Sequence, residues 1–286
     1  MACGAGLSYV TRFAPSPTGL LHLGHAFSAL TGFARAQAAG GRFLLRIEDL
    51  DRARCRPEWE AAILADLRWL GLHWPEPVMR QSDRGAAYGA ALDRLAALGV
   101  LYPCSCTRGD IRAALSAPQE GAGQGPDGPV YPGTCRGRSM AAARPGDALR
   151  LDLGRAVALT GPVGFAETGP LHPGRHRVDP ADLVDRLGDV VLARRDGVVA
   201  YHLAVVVDDA AQRVSEVTRG ADLFEFTGLQ RILQVLLDLP EPAYHHHDLI
   251  RDAAGKRLAK RDDARSLASL RDQGATPADI RRMVGL

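Results

Sequence analysis

Apolar positions in the first hundred residues switch between two periods. YVTRFAP (9–15) is short, β-rich and closed by the turn chemistry of PSPTG, which predicts a strand. HLGHAFSALTGFARAQAA then repeats its apolar residues at helical spacing. RFLLRIEDLD reads as a second strand, PEWEAAILADLRWLGL as an amphipathic helix opened by Pro57, and AAYGAALDRLAALGV as another helix. Strands and helices alternating at this spacing predict an α/β fold with a parallel sheet and crossover connections.

After LYPCSC the alternation breaks in SAPQEGAGQGPDGPVYPGTC, which is loose with Gly and Pro, so residues 103–190 are expected to form an inserted subdomain. The α/β pattern of 1–102 resumes over 191–286. There DVVLARRDGVVAYHLAVVVDD shows two β-rich runs flanking Asp196-Gly197, a hairpin signal, followed by a helix in TGLQRILQVLLDL and a helical close in SLASLRDQGATPADIRRMVGL.

Composition narrows the class only a little. With 286 residues, 46% hydrophobic and 24% charged, the chain reads as an ordinary globular protein. Its first residues, MACGAGLSYVTRFAP, hold no basic region followed by an apolar core, and no later run reaches about 18 apolar residues, so a cytoplasmic location without a membrane is expected. A net charge of +2 neither requires nor excludes an RNA partner. Three of five cysteines, Cys104, Cys106 and Cys135, fall in one 32-residue window, which suits a reduced compartment and a metal site better than a disulfide framework.

Two stretches carry chemistry. Among 35 Lys and Arg residues the two lysines are Lys256 and Lys260, both in GKRLAKRD (255–262); a compact ammonium on a flexible stem suits moving phosphate oxygens. RFAPSPTGLLHLGH (12–25) delivers a strand into a Pro- and Gly-shaped turn and sets His22 and His25 at a helix opening, where backbone N–H groups and the helix dipole favour an anion.

Together these stretches resemble the class I aminoacyl-tRNA synthetases: HLGH (22–25) is similar to that family's HIGH motif and RLAKR (257–261) to its KMSKS loop. The resemblance implies a Rossmann-like catalytic domain that binds ATP with Mg²⁺ through His22, Gly24, His25 and Lys260, with His22, His25 and Lys260 catalytic. Arg257 and Ala259 stand where the motif has lysine and serine. RFAPSPTG, IEDLD (47–51), AYHLAVVVDD (200–209) and EVTRGADL (216–223) resemble the glutamate and glutamine branch. That branch implies Arg12 on the substrate's side-chain carboxylate with help from Ser16, Glu48 on its α-ammonium, Tyr201 lining the pocket and Arg219 contacting the amino acid. An Arg fork matches a carboxylate and not a neutral amide, which favours glutamate over glutamine.

Three thiolates suit Zn²⁺ but a structural site wants four ligands, and no histidine lies between residues 74 and 171. The family branch implies Tyr131 as the fourth, giving one structural Zn²⁺ per chain on Cys104, Cys106, Tyr131 and Cys135; Asp110 or a water is the alternative. His245, His246 and His247 are read as packing and solvent residues, because neighbours in an extended segment point to opposite faces.

The chain runs 26 residues past Lys260 (286 − 260), too few for the anticodon-binding region of a glutamyl-tRNA synthetase. A short glutamyl core with this cysteine spacing resembles the glutamyl-Q tRNA(Asp) synthetase family, which implies activation of glutamate with ATP and transfer to queuosine at the wobble position of tRNA(Asp) by a monomer. The alternatives are half of a split glutamyl-tRNA synthetase, or a non-catalytic RNA-binding derivative.

Overall fold

The structure, a computed structural model, describes residues 8–116, 124–126, 128–250 and 266–286. The chain enters through strand β1 (Val10–Phe13), turns through Pro15–Gly19 and climbs helix α1 (Leu23–Ala38). It returns in β2 (Arg42–Ile47), crosses by α2 (Pro57–Trp69) to β3 (Met79–Arg80), and continues through α3 (Gly85–Ala97) to β4 (Leu101–Cys104). β1, β2 and β3 pair in parallel in that order, with Val10 opposite Arg42 and Arg46 opposite Met79. Each crossover buries one stripe: Ala26, Ala29, Leu30 and Phe33 from α1, and Ile63 and Leu67 from α2, share a core with Leu45 and Ile47.

The middle of the chain is more broken. Helix α4 (Arg108–Ser116), the short pair β5 (Gln124–Gly125) and β6 (Gly128–Pro129), β7 (Ala148–Leu151) and α5 (Leu153–Thr160) lead to a hairpin of β8 (Gly164–Glu167) and β9 (Gly174–Arg177). Then come α6 (Pro180–Leu187), β10 (Val191–Ala193), α7 (Tyr201–Ala211), β11 (Glu216–Gly220), α8 (Thr227–Leu236), β12 (Ala243–His247), α9 (Leu267–Asp272) and α10 (Pro277–Val284). β11, β12 and β8 are parallel, with β9 antiparallel at the edge. β10, β7 and β4 form a separate antiparallel sheet. Strands from both sides of residue 190 therefore share sheets, β10 with β7 and β12 with β8.

β1 also runs beside β11 in the same direction: the Ser215 N–H donates to the Val10 carbonyl at 2.9 Å, and the Thr11 and Thr218 hydroxyls meet at 3.1 Å. The two parallel sheets thus join in the order β3-β2-β1-β11-β12-β8. Strand order reverses between β1 and β11, and ligands of open α/β sheets bind in the crevice beyond the carboxyl ends at such a point.

One expected strand is a helix. The Asp196-Gly197 turn forms as the sequence predicts, with Gly197 at φ +79 and the Arg194 N–H donating to the Val198 carbonyl. Its second arm is a single bridge between Ala193 and Val199, after which YHLAVVVDDAA coils into α7. Leu203 through Val206 are all buried, and a run buried on every side shows no period by which helix and strand could be told apart. No helix among the described residues is long and apolar enough to cross a membrane.

Candidate active site

A cavity of about 620 Å³ opens at the strand reversal. Arg12, Phe13 and Ala14 at the end of β1, Glu48 just past β2, Thr218 to Gly220 at the end of β11, and His247 to Ile250 at and beyond the end of β12 line one side of it. His22, Gly24, His25 and Ser28 of α1 form the other wall, with Tyr201 at the start of α7. Seven residues named from the sequence, Arg12, His22, Gly24, His25, Glu48, Tyr201 and Arg219, thus line one space. Ser16 lies half-buried in the turn after β1 and is not among the lining residues. Lys256, Arg257, Ala259 and Lys260 lie outside the described residues.

At the helix end, the two histidines bond to the backbone and to each other's turn. His22 is the N-cap of α1: its Nδ1 accepts from the Gly24 N–H at 3.1 Å, and the His25 Nδ1 accepts from the His22 N–H at 3.1 Å. The reciprocal pair satisfies two helix-terminal donors, as a capping box does. A ring nitrogen that accepts a hydrogen bond carries no proton, so Nδ1 of both rings is unprotonated. The two rings pack at 3.8 Å between centroids, and a Cβ on Gly24 would lie 3.0 Å from the His22 Cε1.

At the β1 end, Arg12 is held by a carboxylate that the sequence reading did not single out. Its Nε and Nη2 donate to Asp209 Oδ1 and Oδ2 at 2.9 and 3.1 Å, and its Nη1 donates to the Thr218 carbonyl at 3.2 Å. Three of the five N–H groups of the fork are so engaged, which leaves one on each terminal nitrogen. Asp209 also accepts from Arg46 at 2.6 Å, and Arg46 reaches Glu48 Oε1 at 3.1 Å. Burial would raise the Asp209 carboxyl, but the charges of Arg12 and Arg46 outweigh it and hold its pKa at about 2. Burial does win at Glu48, whose carboxyl is pushed above its ordinary value despite Arg46 and Arg12. A buried acid in that state gains from a cation beside it.

Arg219 is equally well braced. Its Nε donates to His246 Nε2 at 2.9 Å, Nη1 to Gln230 at 2.6 Å, and Nη2 to the Thr227 hydroxyl at 2.9 Å and the Leu223 carbonyl at 3.2 Å. The three consecutive histidines are not solvent residues: β12 pairs on both edges, and His245, His246 and His247 are all buried. His247 lines the cavity and packs edge-on against Phe27 at 4.9 Å. The alternation of faces is as expected; what the sequence did not reveal is that β12 is an interior strand.

Asp209 and Arg46 carried a signal that a stricter reading would have used. Two aspartates closing a run as apolar as LAVVV, and an arginine inside FLLRI, are charges that the pattern itself forces into the interior, where they need each other.

Away from the cavity, the Sγ atoms of Cys104, Cys106 and Cys135 lie within 4.8 Å of one another. The Tyr131 hydroxyl joins them, 3.4 Å from the Cys104 Sγ and 3.6 Å from that of Cys106. Thiolates around a tetrahedral Zn²⁺ at about 2.3 Å stand roughly 3.8 Å apart, so this donor set fits the ion with small adjustments. Asp110 is turned away, accepting from the Thr107 N–H and hydroxyl at 2.7 and 2.8 Å. Arg150 lies 3.8 Å over the Tyr131 ring and donates to the Cys104 Sγ at 3.3 Å, placing a positive charge beside a group that collects negative ones.

The fold and site define a class. Residues 8–139 and 174–286 match the model of the catalytic domain of class I tRNA synthetases (E and Q), and the chain belongs to that family, in its glutamyl-Q tRNA(Asp) synthetase branch. A glutamyl-Q tRNA(Asp) synthetase of Rhodobacter capsulatus is 60% identical over 97% of this chain and all of its own length. One of Nocardia farcinica is 47% identical over 94% of this chain and 81% of its own. Among solved structures, a glutamate tRNA ligase from Elizabethkingia meningosepticum, in complex with its amino acid, superposes with a TM-score of 0.71 at 28% identity over 89% of this chain. This chain spans about half of that ligase, 52%.

Proposed function

We propose that the protein activates glutamate with ATP and transfers the glutamyl group to the queuosine base of tRNA(Asp). The observation that carries the reading is the cavity, where a carboxylate-matching Arg12, an acid at Glu48 and an HLGH helix end line one space at the strand reversal. It is supported by relatives, 60% and 47% identical, that bear the name glutamyl-Q tRNA(Asp) synthetase.

In this reading the two uncommitted N–H groups of Arg12 take the side-chain carboxylate of glutamate, with Ser16 assisting from the turn. Glu48 takes the α-ammonium, which adds a second cation to the one that Arg46 already sets against its buried carboxyl. Tyr201 and Arg219 complete the amino-acid pocket. ATP, entering with its Mg²⁺, lies against the start of α1, where His22 and His25 stabilise its phosphates and Gly24 lets them approach. Lys260, from its place in RLAKR, is assigned to the leaving pyrophosphate.

The α-carboxylate of glutamate attacks the α-phosphorus, one P–O bond forms as the bond to pyrophosphate breaks, and glutamyl-adenylate results. The base then takes the glutamyl group and AMP leaves. No protein nucleophile is needed, and catalysis is positioning with charge stabilisation.

Residues 103–190 would carry the inserted unit of the domain, joined to the flanking half through the pairing of β7 with β10 and of β8 with β12. Cys104, Cys106, Cys135 and Tyr131 would hold a structural Zn²⁺ there, fixing a Gly-rich segment with few apolar residues of its own. A monomer working in the cytoplasm accords with this reading.

The test is transfer of labelled glutamate, with ATP and Mg²⁺, to tRNA(Asp) with and without queuosine, beside tRNA(Glu). Label on queuosine-containing tRNA(Asp) alone is expected. Label on tRNA(Glu) would make the chain a reduced glutamyl-tRNA synthetase, and no label on any tRNA would overturn the reading.

A further inference from the structure

Behind Arg219 stands a pair of residues for which the reaction as written has no use. Glu167, at the end of β8, accepts from His246 Nδ1 at 2.5 Å through Oε2. Its Oε1 accepts from the backbone N–H groups of His246 and Gly169 at 3.0 and 2.6 Å. The side chains are 1% and 0% exposed, so their geometry does not answer to solvent. Burial would raise the Glu167 carboxyl, but these donors hold it below the usual range, while burial keeps His246 neutral with its pKa near 4.

A neutral imidazole has one donor and one acceptor. The carboxylate claims the proton on Nδ1, so Nε2 must accept, and its partner is the Arg219 Nε–H at 2.9 Å. The chain of bonds runs in one direction, from Arg219 to His246 to Glu167. Tyr244 stacks parallel to the His246 ring and Phe224 meets it edge-on at 5.1 Å, which fixes the ring plane. Gly169 permits the close approach: a Cβ there would lie 2.3 Å from the His246 carbonyl and 2.6 Å from Glu167 Oε1.

We propose that Glu167 and His246 are positioning residues for the amino-acid site: they fix the tautomer that grips Arg219, and so aim its one uncommitted N–H at the bound amino acid. The four bonds to Arg219 come from three directions, and the one from His246 alone is tied to a charged group. The pair therefore acts on glutamate affinity and leaves the ATP half of the site alone. This rests on the reading of the cavity as a glutamate-activating site.

The experiment compares wild type, His246→Asn and His246→Gln in glutamate-dependent ATP–pyrophosphate exchange. Asn keeps a donor for Glu167 and loses the acceptor for Arg219; Gln keeps an acceptor near the Nε2 position. We expect KM for glutamate to rise about tenfold in His246→Asn, and by no more than about threefold in His246→Gln, with KM for ATP within about twofold in both. An unchanged glutamate KM in His246→Asn, or equal changes in both KM values, would overturn the proposal. Nitrogen NMR of ¹⁵N-histidine-labelled wild type asks the same question without a variant. A buried neutral ring with its proton on Nδ1 is expected, and a proton on Nε2 would refute the assignment. Wild type without any glutamate-dependent exchange would instead sink the functional reading, and this proposal with it, whatever the NMR tautomer.

Discussion

Arg12 and Asp209 form a two-bond ion pair, at 2.9 and 3.1 Å, between the end of β1 and the last turn of α7. The pair sits at the strand reversal, so one contact both joins the halves of the sheet and aims a guanidinium into the cavity. Arg46 on β2 shares the same carboxylate, which gives two cations against Asp209 and Glu48.

Removing that shared charge should be severe. Asp209→Asn leaves Arg12 and Arg46 buried with one acid between them, and breaking a buried pair from one side costs about 3–5 kcal/mol. Urea unfolding of the variant should show a loss of this size, and KM for glutamate should rise as Arg12 is released. Acid should act in the same way. Asp209 has a depressed pKa of about 2, so its contribution is complete above the ordinary aspartate value and is lost as pH falls through the window from about 4 to 2. The stability-against-pH curve of Asp209→Asn should be flatter there than that of wild type.

Gly24 makes a narrower claim. Gly24→Ala would bring a methyl to 3.0 Å from the His22 Cε1 and 3.2 Å from its Nδ1, so the ring that caps α1 must give by a few tenths of an ångström. Alanine is a better helix residue than glycine, so the fold should be kept. Pyrophosphate exchange should lose about tenfold or more in kcat, or ~1.4 kcal/mol of barrier, with KM for glutamate nearly unchanged. An unaltered kcat would remove His22 from the phosphate site.

Much of this was legible in the chain. The short strand before PSPTG, the helix behind HLGH and the Asp-Gly turn all formed where local pattern put them, because each is set by its own residues. Tyr201 to Ala211 did not, since burial on all sides erases the period. Asp209 and Glu167 escaped notice, and His246 was read without its bonding role, for a related reason: their partners are 197, 79 and 27 residues away in sequence, at Arg12, His246 and Arg219. A contact of that range belongs to topology, which local pattern does not carry.

The cysteine cluster predicts a metal with a charged neighbour. Purified protein should hold about one Zn²⁺ per chain by atomic emission, and Cys106→Ser should hold less. Arg150→Ala removes a donor to the Cys104 Sγ, and loss of an outer partner costs about 10–100-fold in metal affinity. Competition with a coloured chelator should show a shift in that range, and an unshifted curve would make Arg150 a packing residue only.

Glu48 should set the acid limb of glutamate use. Burial raises its carboxyl above the ordinary value of about 4.3, so in the empty site it takes up a proton at a higher pH than an exposed glutamate would. The protonated acid offers no charge to an α-ammonium, whereas the ionised one does. Glutamate binding therefore draws on the ionised form, and kcat/KM for glutamate should fall as pH drops through the raised pKa of the free enzyme. The bound ammonium stabilises the carboxylate, so kcat, which reports the complex, should hold to lower pH than kcat/KM does. In Glu48→Gln the limb should vanish from kcat/KM for glutamate, with KM raised at every pH, because an amide has neither charge nor titration. A limb that survives the substitution would belong to another group, and the α-ammonium would then have to find its partner elsewhere in the cavity.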